Sequence, residues 1–466
     1  MKLVCLASGG LPELPAAVTA QLLDPSAPEL LRRITDHCAE GILCAGQAGI
    51  QAGLFLLRKK RLRPRIPVIC LWEKGAKTGR FDGVVCRTDA DRRAALDAGT
   101  DLYQLFDSVE AAVSACSRRL SAGKKPGGVV ISGSYGLGNL GDEAMLTAIL
   151  AQLREAAPDR PVTVITRTPR QTRRDHAVST VGTFRFVSIF RALRRAAFLI
   201  SGGGTLLTDL TSTRSLRYYL FVIRLAKRVG ARVLLYSCGI GPIASPSNRR
   251  AVAKTLDHCA EVISARDDAS FMLLDELGVT SPKRLRMWDA TFALTGASDG
   301  PKTGGQLCAV YALRHWDRDE AFIPAAAEAI ETIRSALGLY PVLLAMEPAQ
   351  DLPFAECIAD RLNGPFRIVA DAETFDDVVA LVRGASVVVG MRLHALIAAC
   401  GAGVPCAGVD YDVKIGGFLS DTGNPARIDY ATAEADDIVA AAALAIKNGA
   451  QPFEATDENL LKTLMK

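Results

Sequence analysis

The 466-residue chain has no apolar run near the ~18–20 residues that a membrane-spanning helix needs. Its first residues, MKLVCLASGG, carry one lysine and a very short apolar stretch, which reads as a buried strand rather than a signal peptide. Metal ligands are also poorly supplied. None of the 12 cysteines lies in a CxxC pair, and the closest pairs, Cys38/Cys44 and Cys400/Cys406, are not at zinc-ligand spacing. No metal and no cofactor is therefore expected. Cysteines set in apolar runs such as LLYSCG and IPVICL suit a reducing compartment, so the expected location is cytoplasmic. A net charge of +5 is too mild at this length to mark a nucleic-acid binder. No internal repeat is visible.

What the chain does have is alternation. Short apolar runs exchange with amphipathic helical stretches almost throughout, the pattern of a parallel α/β architecture. KLVCLAS, GILCAG and PVICLWE predict three strands of a small first domain, residues 1–122. SAGKKPGG, Ser121–Gly128, has linker composition. A second unit, residues 127–300, runs through GVVISGS, VTVIT, AAFLIS, RVLLYSCG and EVISAR. TGASDGPKTGG, Thr295–Gly305, separates it from a third, residues 303–440, with LCAVYAL, YPVLLAM, FRIVA, ASVVVG and CAGVDY. Residues 441–466 make a helical tail. In open parallel sheets ligands bind beyond the carboxyl ends of the strands, so those ends hold the candidate site.

GSYGLGNLGDEA, Gly133–Ala144, contains Gly136-x-Gly138-x-x-Gly141, the spacing of a dinucleotide loop. Two features argue against a dinucleotide. Asp142 and Glu143 occupy the start of the following helix, where a pyrophosphate would sit and carboxylates repel it. The acidic residue expected about 20 residues on is missing, and Arg167 ends the next strand instead. Two readings stay open: Asn139, Asp142 and Glu143 accept hydrogen bonds from sugar hydroxyls, or the acids only cap the helix.

The other strand ends carry glycines and cations. FLISGGGTLLTD sets Gly202, Gly203 and Gly204 after a strand, with Asp209 close by. Bare backbone N–H groups facing a cleft, or close packing, account for such a run. Arg266 ends EVISAR; Arg392 and His394 stand between strand and helix in VVVGMRLHALIAAC; Lys414 follows the next strand in GVDYDVKIGGFL. Each alone is an ordinary surface group. Together these basic groups follow strand ends in two lobes, which reads as an anion site for a small, multiply charged substrate. His394, with an ordinary pKa of about 6.5, also suits proton transfer near neutral pH.

In sequence order, GSYGLGNLGDEA, LISGGGTLLTD, SCGIGP, SARDDAS, MRLHALIAA and VDYDVKIGGFL resemble the polysaccharide pyruvyltransferases, most closely the bacterial CsaB type. The resemblance runs from about Gly127 to Tyr430. It implies two Rossmann-like lobes facing a cleft, as in glycosyltransferase-B folds, with residues 127–300 on the acceptor side and 303–440 on the phosphoenolpyruvate side. It implies transfer of a pyruvyl group from phosphoenolpyruvate to a sugar, forming a ketal. The acceptor implied is N-acetylmannosamine in a lipid-linked cell-wall precursor, and the ketal serves S-layer anchoring. Arg266, Arg392, Leu393 and His394 match the donor-binding residues, and Lys414 the family lysine, although Ile415 replaces the usual valine. His394 is then expected to be the general acid, with Arg266, Arg392 and Lys414 on the departing phosphate. Asp142 or Glu143 is the candidate base.

Residues 1–122 depart from the family pattern as an extra small α/β domain. Their basic run RKKRLRPR, Arg58–Arg65, reads as a solvated helix end, with anionic lipid as the alternative. RFVSIFRALRRAAF, Arg185–Phe198, is a second basic amphipathic stretch; its apolar face is expected to pack inside the lobe, the alternative being the inner membrane surface. The rival functions are a nucleotide-sugar glycosyltransferase or epimerase on the same fold, and a non-catalytic binding protein.

Overall fold

A computed structural model describes residues 2–7, 14, 18–26, 34, 40–59, 67–73, 81–98, 100, 105–109, 111–113, 116, 127–210, 212–296, 307–450 and 459–465. The side chains of the basic run Arg58–Arg65 and most of both linkers lie outside the described residues. The chain divides into two compact units: residues 1–131 with 157–198, and residues 132–156 with 199–466.

The first unit contains a six-stranded parallel sheet. Its strands are β1 (Lys2–Leu6), β2 (Thr19–Leu23), β3 (Gly41–Cys44), β4 (Val68–Leu71), β5 (Gly83–Val85) and β6 (Leu105–Phe106), in the order 2-1-3-4-5-6. Helix α1 (Gly46–Lys59) follows β3, and α2 (Asp89–Asp97) follows β5. The three expected strands are present; β2, β5 and β6 are additional. Alternation along β1 sends Val4 and Leu6 to one core cluster and Leu3 and Cys5 to another, so both faces of the sheet are covered. After β7 (Gly128–Ser132), the chain forms α3 (Leu140–Ala156), β8 (Val162–Thr166), α4 (Pro169–His176), β9 (Ser179–Gly182) and α5 (Phe186–Leu193). Within the first unit β8 pairs in parallel with β9.

Helix α5 corrects one expectation. Only Ile189 and Leu193, four residues apart, turn inward; Phe186, Val187 and Phe190 are exposed. Its apolar face is therefore consumed by lobe packing only in part.

The second unit holds two α/β layers. The first has β10 (Ala196–Gly202), β11 (Thr205–Leu207), α6 (Thr213–Arg228), β12 (Arg232–Ile240), α7 (Pro246–Cys259), β13 (Val262–Ala265), α8 (Asp268–Glu276) and β14 (Lys283–Arg286). Parallel pairing runs from β12 to β13 to β14, and β11 also joins β12. The second layer begins with β15 (Cys308–Ala312), α9 (Asp319–Leu337), β16 (Tyr340–Leu344), α10 (Pro348–Ala359), β17 (Arg367–Val369) and α11 (Phe375–Arg383). It continues through β18 (Ala385–Gly390), α12 (Leu393–Gly401), β19 (Cys406–Asp410), α13 (Val413–Asp421), β20 (Arg427–Asp429) and α14 (Ala435–Asn448); α15 (Leu460–Leu464) ends the chain. The sheet order is β17-β16-β15-β18-β19-β20. That is the doubly wound 3-2-1-4-5-6 order, whose ligand crevice opens where the order reverses, beyond β15 and β18. Ala309 and Tyr311 of β15 face one core cluster, Cys308, Val310 and Ala312 the other. Helix α3 joins that second cluster through Leu140 and Ala144, and the Leu140 N–H donates to the Met346 carbonyl at 3.1 Å. Among the described residues no helix is long and apolar enough to cross a membrane.

Candidate active site

The strand ends of the second unit enclose a cavity of about 540 Å³. Eight residues singled out in the sequence line it: Asn139, Asp142, Gly204, Arg266, Arg392, Leu393, His394 and Lys414. Local structure sets each one. Asn139 precedes α3, and its Oδ1 accepts from the Gly141 N–H at 2.9 Å. Arg392 is the N-cap of α12, which places Leu393 and His394 in the first turn at the mouth of β18. Asp412 caps α13 by accepting from the Lys414 N–H at 3.1 Å. Arg266 directly follows β13.

The other four do not line the cavity. The Gly202 carbonyl accepts from the Tyr135 hydroxyl at 2.6 Å. Gly203 has φ 91°, a left-handed conformation that favours glycine. Asp209 accepts from the Ala244 N–H at 2.7 Å, the Ser245 N–H at 3.0 Å and the Asn248 side chain at 2.8 Å, tying two loops together. Glu143 Oε1 accepts from the Gly136 N–H at 2.6 Å, which closes the glycine loop onto the helix start. Gly204 differs, because a Cβ there would stand 2.8 Å from Asp142 Oδ1.

The cations are not bare. Arg266 is 5% exposed; it donates to Asp289 Oδ2 at 3.1 Å and Thr205 Oγ1 at 2.9 Å. Arg392 donates to Asp351 Oδ2 at 3.0 Å and Glu347 Oε2 at 3.2 Å, with a second, shorter contact to Asp351. Lys414 Nζ lies 3.3 Å from Asp412 and 5.5 Å from the Tyr411 ring centre. Sequence reasoning missed Asp289, Glu347 and Asp351, and it missed a further cation. Arg314, beyond β15, lines the cavity and sits 5.6 Å from the Trp316 ring centre and 5.8 Å from that of Tyr411. Among the described residues no carboxylate pairs with it. Its signal was available: it follows the strand LCAVYAL as Arg266 follows EVISA.

Burial sorts the proton carriers. Desolvation, and then the negative charge of Glu143, push the Asp142 carboxyl up to about 7 against the pull of Arg266 and Lys414. Desolvation lowers His394 to about 4; Asp289 opposes this, while Arg266, Lys414 and Arg392 add to it. His394 Nε2 lies 3.9 Å from Asp289 Oδ2 and has no hydrogen-bond partner among the described residues. At neutral pH the imidazole is uncharged and the Asp142 carboxyl titrates near neutrality. For Asp289 burial raises the carboxyl, but His394 and Arg266 outweigh it and keep it low. The chemistry on offer is thus anion binding beside a carboxyl that can give a proton and an imidazole that can take one. Among the described residues no group of His, Cys, Asp and Glu side chains is placed to hold a metal ion.

The family model described as polysaccharide pyruvyl transferase matches residues 139–413, more than half of the chain. No curated protein matches the chain. Among solved structures, the chain is similar to a UDP-GlcNAc 2-epimerase from Methanocaldococcus jannaschii, at 11% identity and TM-score 0.53 over 72% of this chain and 97% of that one. The S. aureus MnaA–UDP structure gives 11% identity and TM-score 0.51 over 72% and 93%. A putative UDP-N-acetylglucosamine 2-epimerase from Listeria monocytogenes gives 12% and 0.50 over 70% and 92%. At such identities the likeness establishes the shared glycosyltransferase-B-like fold alone.

Proposed function

The chain belongs to the polysaccharide pyruvyl transferase family, and from that membership we propose that it moves a pyruvyl group from phosphoenolpyruvate onto two hydroxyls of one sugar, closing a ketal and releasing phosphate. The acceptor we assign is N-acetylmannosamine in a lipid-linked cell-wall precursor, the ketal serving S-layer anchoring. That assignment rests on the six motifs shared with the CsaB type. One observation carries the reaction. Cations from four separate strand ends meet a raised carboxyl and a neutral imidazole in one cavity.

Phosphoenolpyruvate carries a carboxylate and a phosphate, so its recognition needs several cations. Arg266, Arg392, Leu393 and Lys414 bind it in this reading, and Arg314 joins them. Asn139 and Gly204 face the acceptor; Glu143, Gly202, Gly203 and Asp209 hold the loops that present them. The sequence alone puts the acid on His394, but burial lowers its pKa to about 4 and raises that of Asp142 to about 7. We therefore give Asp142 the acid step: its proton goes to the methylene carbon, making a methyl group and leaving C2 electron-poor. Neutral His394 takes the proton of the first sugar hydroxyl as that oxygen bonds to C2. The C2–O bond to phosphate then breaks, with the cations on the leaving group. A second hydroxyl adds to C2. Its proton leaves with the phosphate, and the proton on His394 returns through water to Asp142.

The test is a thermal-unfolding series with phosphoenolpyruvate, UDP-N-acetylglucosamine and inorganic phosphate. A ligand at about 100 times its Kd adds about 2.7 kcal/mol to the native state. Stabilisation by phosphoenolpyruvate, lost in Arg314→Ala, is expected, followed by phosphate release that requires an acceptor sugar. Stabilisation by the UDP-sugar alone would transfer the protein to nucleotide-sugar chemistry.

A further inference from the structure

The first unit has a surface with no part in the chemistry above. Between Arg167 and Arg195 the chain carries eight arginines and one acidic residue, Asp175. Among the described residues none of these arginines pairs with a carboxylate. Within the same stretch Phe184 is 63% exposed, Phe186 49%, Val187 64% and Phe190 39%. Helical spacing puts Phe186, Phe190 and Arg194 in one row of α5, and Val187 and Arg191 in the next. The inward row, Ile189 and Leu193, borders the Phe186 row, and Val187 and Arg191 point away from it. Arg167 stacks over the Phe184 ring at 4.6 Å and Arg194 over Phe190 at 5.9 Å, so the cations flank the apolar groups.

The flank of α5 opens onto a second cavity, of about 760 Å³. Arg173, Arg191 and Arg195 line it together with Thr163, Ser179 and Ser188. Three guanidiniums and three hydroxyls form a donor-rich pocket for an oxyanion. Arg191 belongs to both the pocket and the exposed face.

We propose that α5 and its flanks dock the protein on an anionic phospholipid membrane, Phe184, Phe186, Val187 and Phe190 entering the headgroup–acyl boundary while the arginine pocket takes a lipid phosphate. Charge complementarity selects this occupant. A soluble protein partner would cover the apolar groups, but it would not call for eight arginines against a single acid. An anionic bilayer supplies an apolar layer and a phosphate layer at adjacent depths, and α5 presents both kinds of group side by side.

The experiment is co-sedimentation of the full chain with phosphatidylglycerol–phosphatidylcholine vesicles and with pure phosphatidylcholine vesicles. Binding to the first and not the second is expected, weakening with salt. Neutralising Arg191→Gln with Arg194→Gln removes about 1 kcal/mol per arginine, about a thirtyfold loss of partition. Phe184→Ser with Val187→Ser should cost at least tenfold. All four positions are exposed, and thermal melts matching the wild type confirm that the variants fold. Absence of binding to the phosphatidylglycerol vesicles, equal binding to both vesicle types, or wild-type binding by either double variant overturns the proposal. Binding is read without catalysis, so the result is independent of the pyruvyl-transfer reading.

Discussion

Gly141 is the second residue of α3, and its missing side chain leaves room for the His394 ring. A Cβ built there would lie 2.5 Å from His394 Cγ and 2.7 Å from Cε1, and closer still to Nδ1. Carbon atoms settle about 3.5–4.0 Å apart, so in Gly141→Ala the ring must retreat by roughly 1 Å or more. It cannot swing freely. His394 starts α12 between Leu393 and Ala395, both buried. Stability changes little, because two effects oppose each other. Alanine gains about 1 kcal/mol over glycine in a helix, and overpacking costs about 1–3 kcal/mol. Catalysis should change much more, since a 1 Å misplacement of a reacting group costs about 100-fold. The assay is kcat/KM for acceptor-dependent phosphate release, beside urea unfolding. Gly138→Ala is the counterpart. Its Cβ meets nothing within 4 Å, but its φ of 81° is left-handed, so stability should fall by about 1–2 kcal/mol while the His394 ring stays in place. Wild-type kcat/KM in a folded Gly141→Ala protein would refute the placement of His394 as a reacting group.

Two further outcomes follow from buried charge. A carboxyl whose folded pKa is raised, as at Asp142, binds its proton more tightly when folded, so its contribution to stability is lost as pH rises from about 4 through about 7. Asp142→Asn should therefore gain stability over the wild type at pH 8 relative to pH 5, by up to about 2.7 kcal/mol in urea unfolding. His394, lowered to about 4, works the other way, adding stability as pH rises from about 4 to about 6.5, and His394→Gln should remove that rise. An Asn variant with the same stability difference at both pH values would show that Asp142 is not desolvated. Asp351→Ala leaves the Arg392 guanidinium buried beside Glu347 alone and should cost about 3–5 kcal/mol, whereas Asp351→Leu with Arg392→Met should recover most of it. A small loss in the single variant would mean that Arg392 finds water.

The strands that the sequence reading found are those with an unbroken apolar run, such as β4 and β18, buried on both faces. The missed ones are short or lie at an edge. β14 is KRLR, which has almost no apolar signal and is held by parallel pairing with β13. β2 is TAQLL at the edge of its sheet, and only its last residue is buried. β6 has two residues. Edge strands meet the core on one side only, so their composition is weakly constrained. The split behaviour of α5 was hidden for a related reason. Periodicity says which residues share a face, but a row of phenylalanines reads the same whether protein or solvent meets it.

At the active site the cations were legible because parallel α/β chemistry repeats one local pattern: a strand, then a polar residue, then a helix start. Their partners were not. Asp289 lies 23 residues from Arg266, and Asp351 and Glu347 lie 41 and 45 from Arg392, on elements that only the fold brings together. Those partners change what the cleft selects. Bare cations would bind any phosphate. An arginine already held by two carboxylates yields only to an anion that replaces their hydrogen bonds with equally good ones, since a buried guanidinium left half-paired is costly. Phosphoenolpyruvate offers two anionic groups on one rigid three-carbon frame; inorganic phosphate offers one. In the proposed reaction, discrimination between them then comes as much from the carboxylates that must be displaced as from the cations that attract, which is how a specific site uses repulsion.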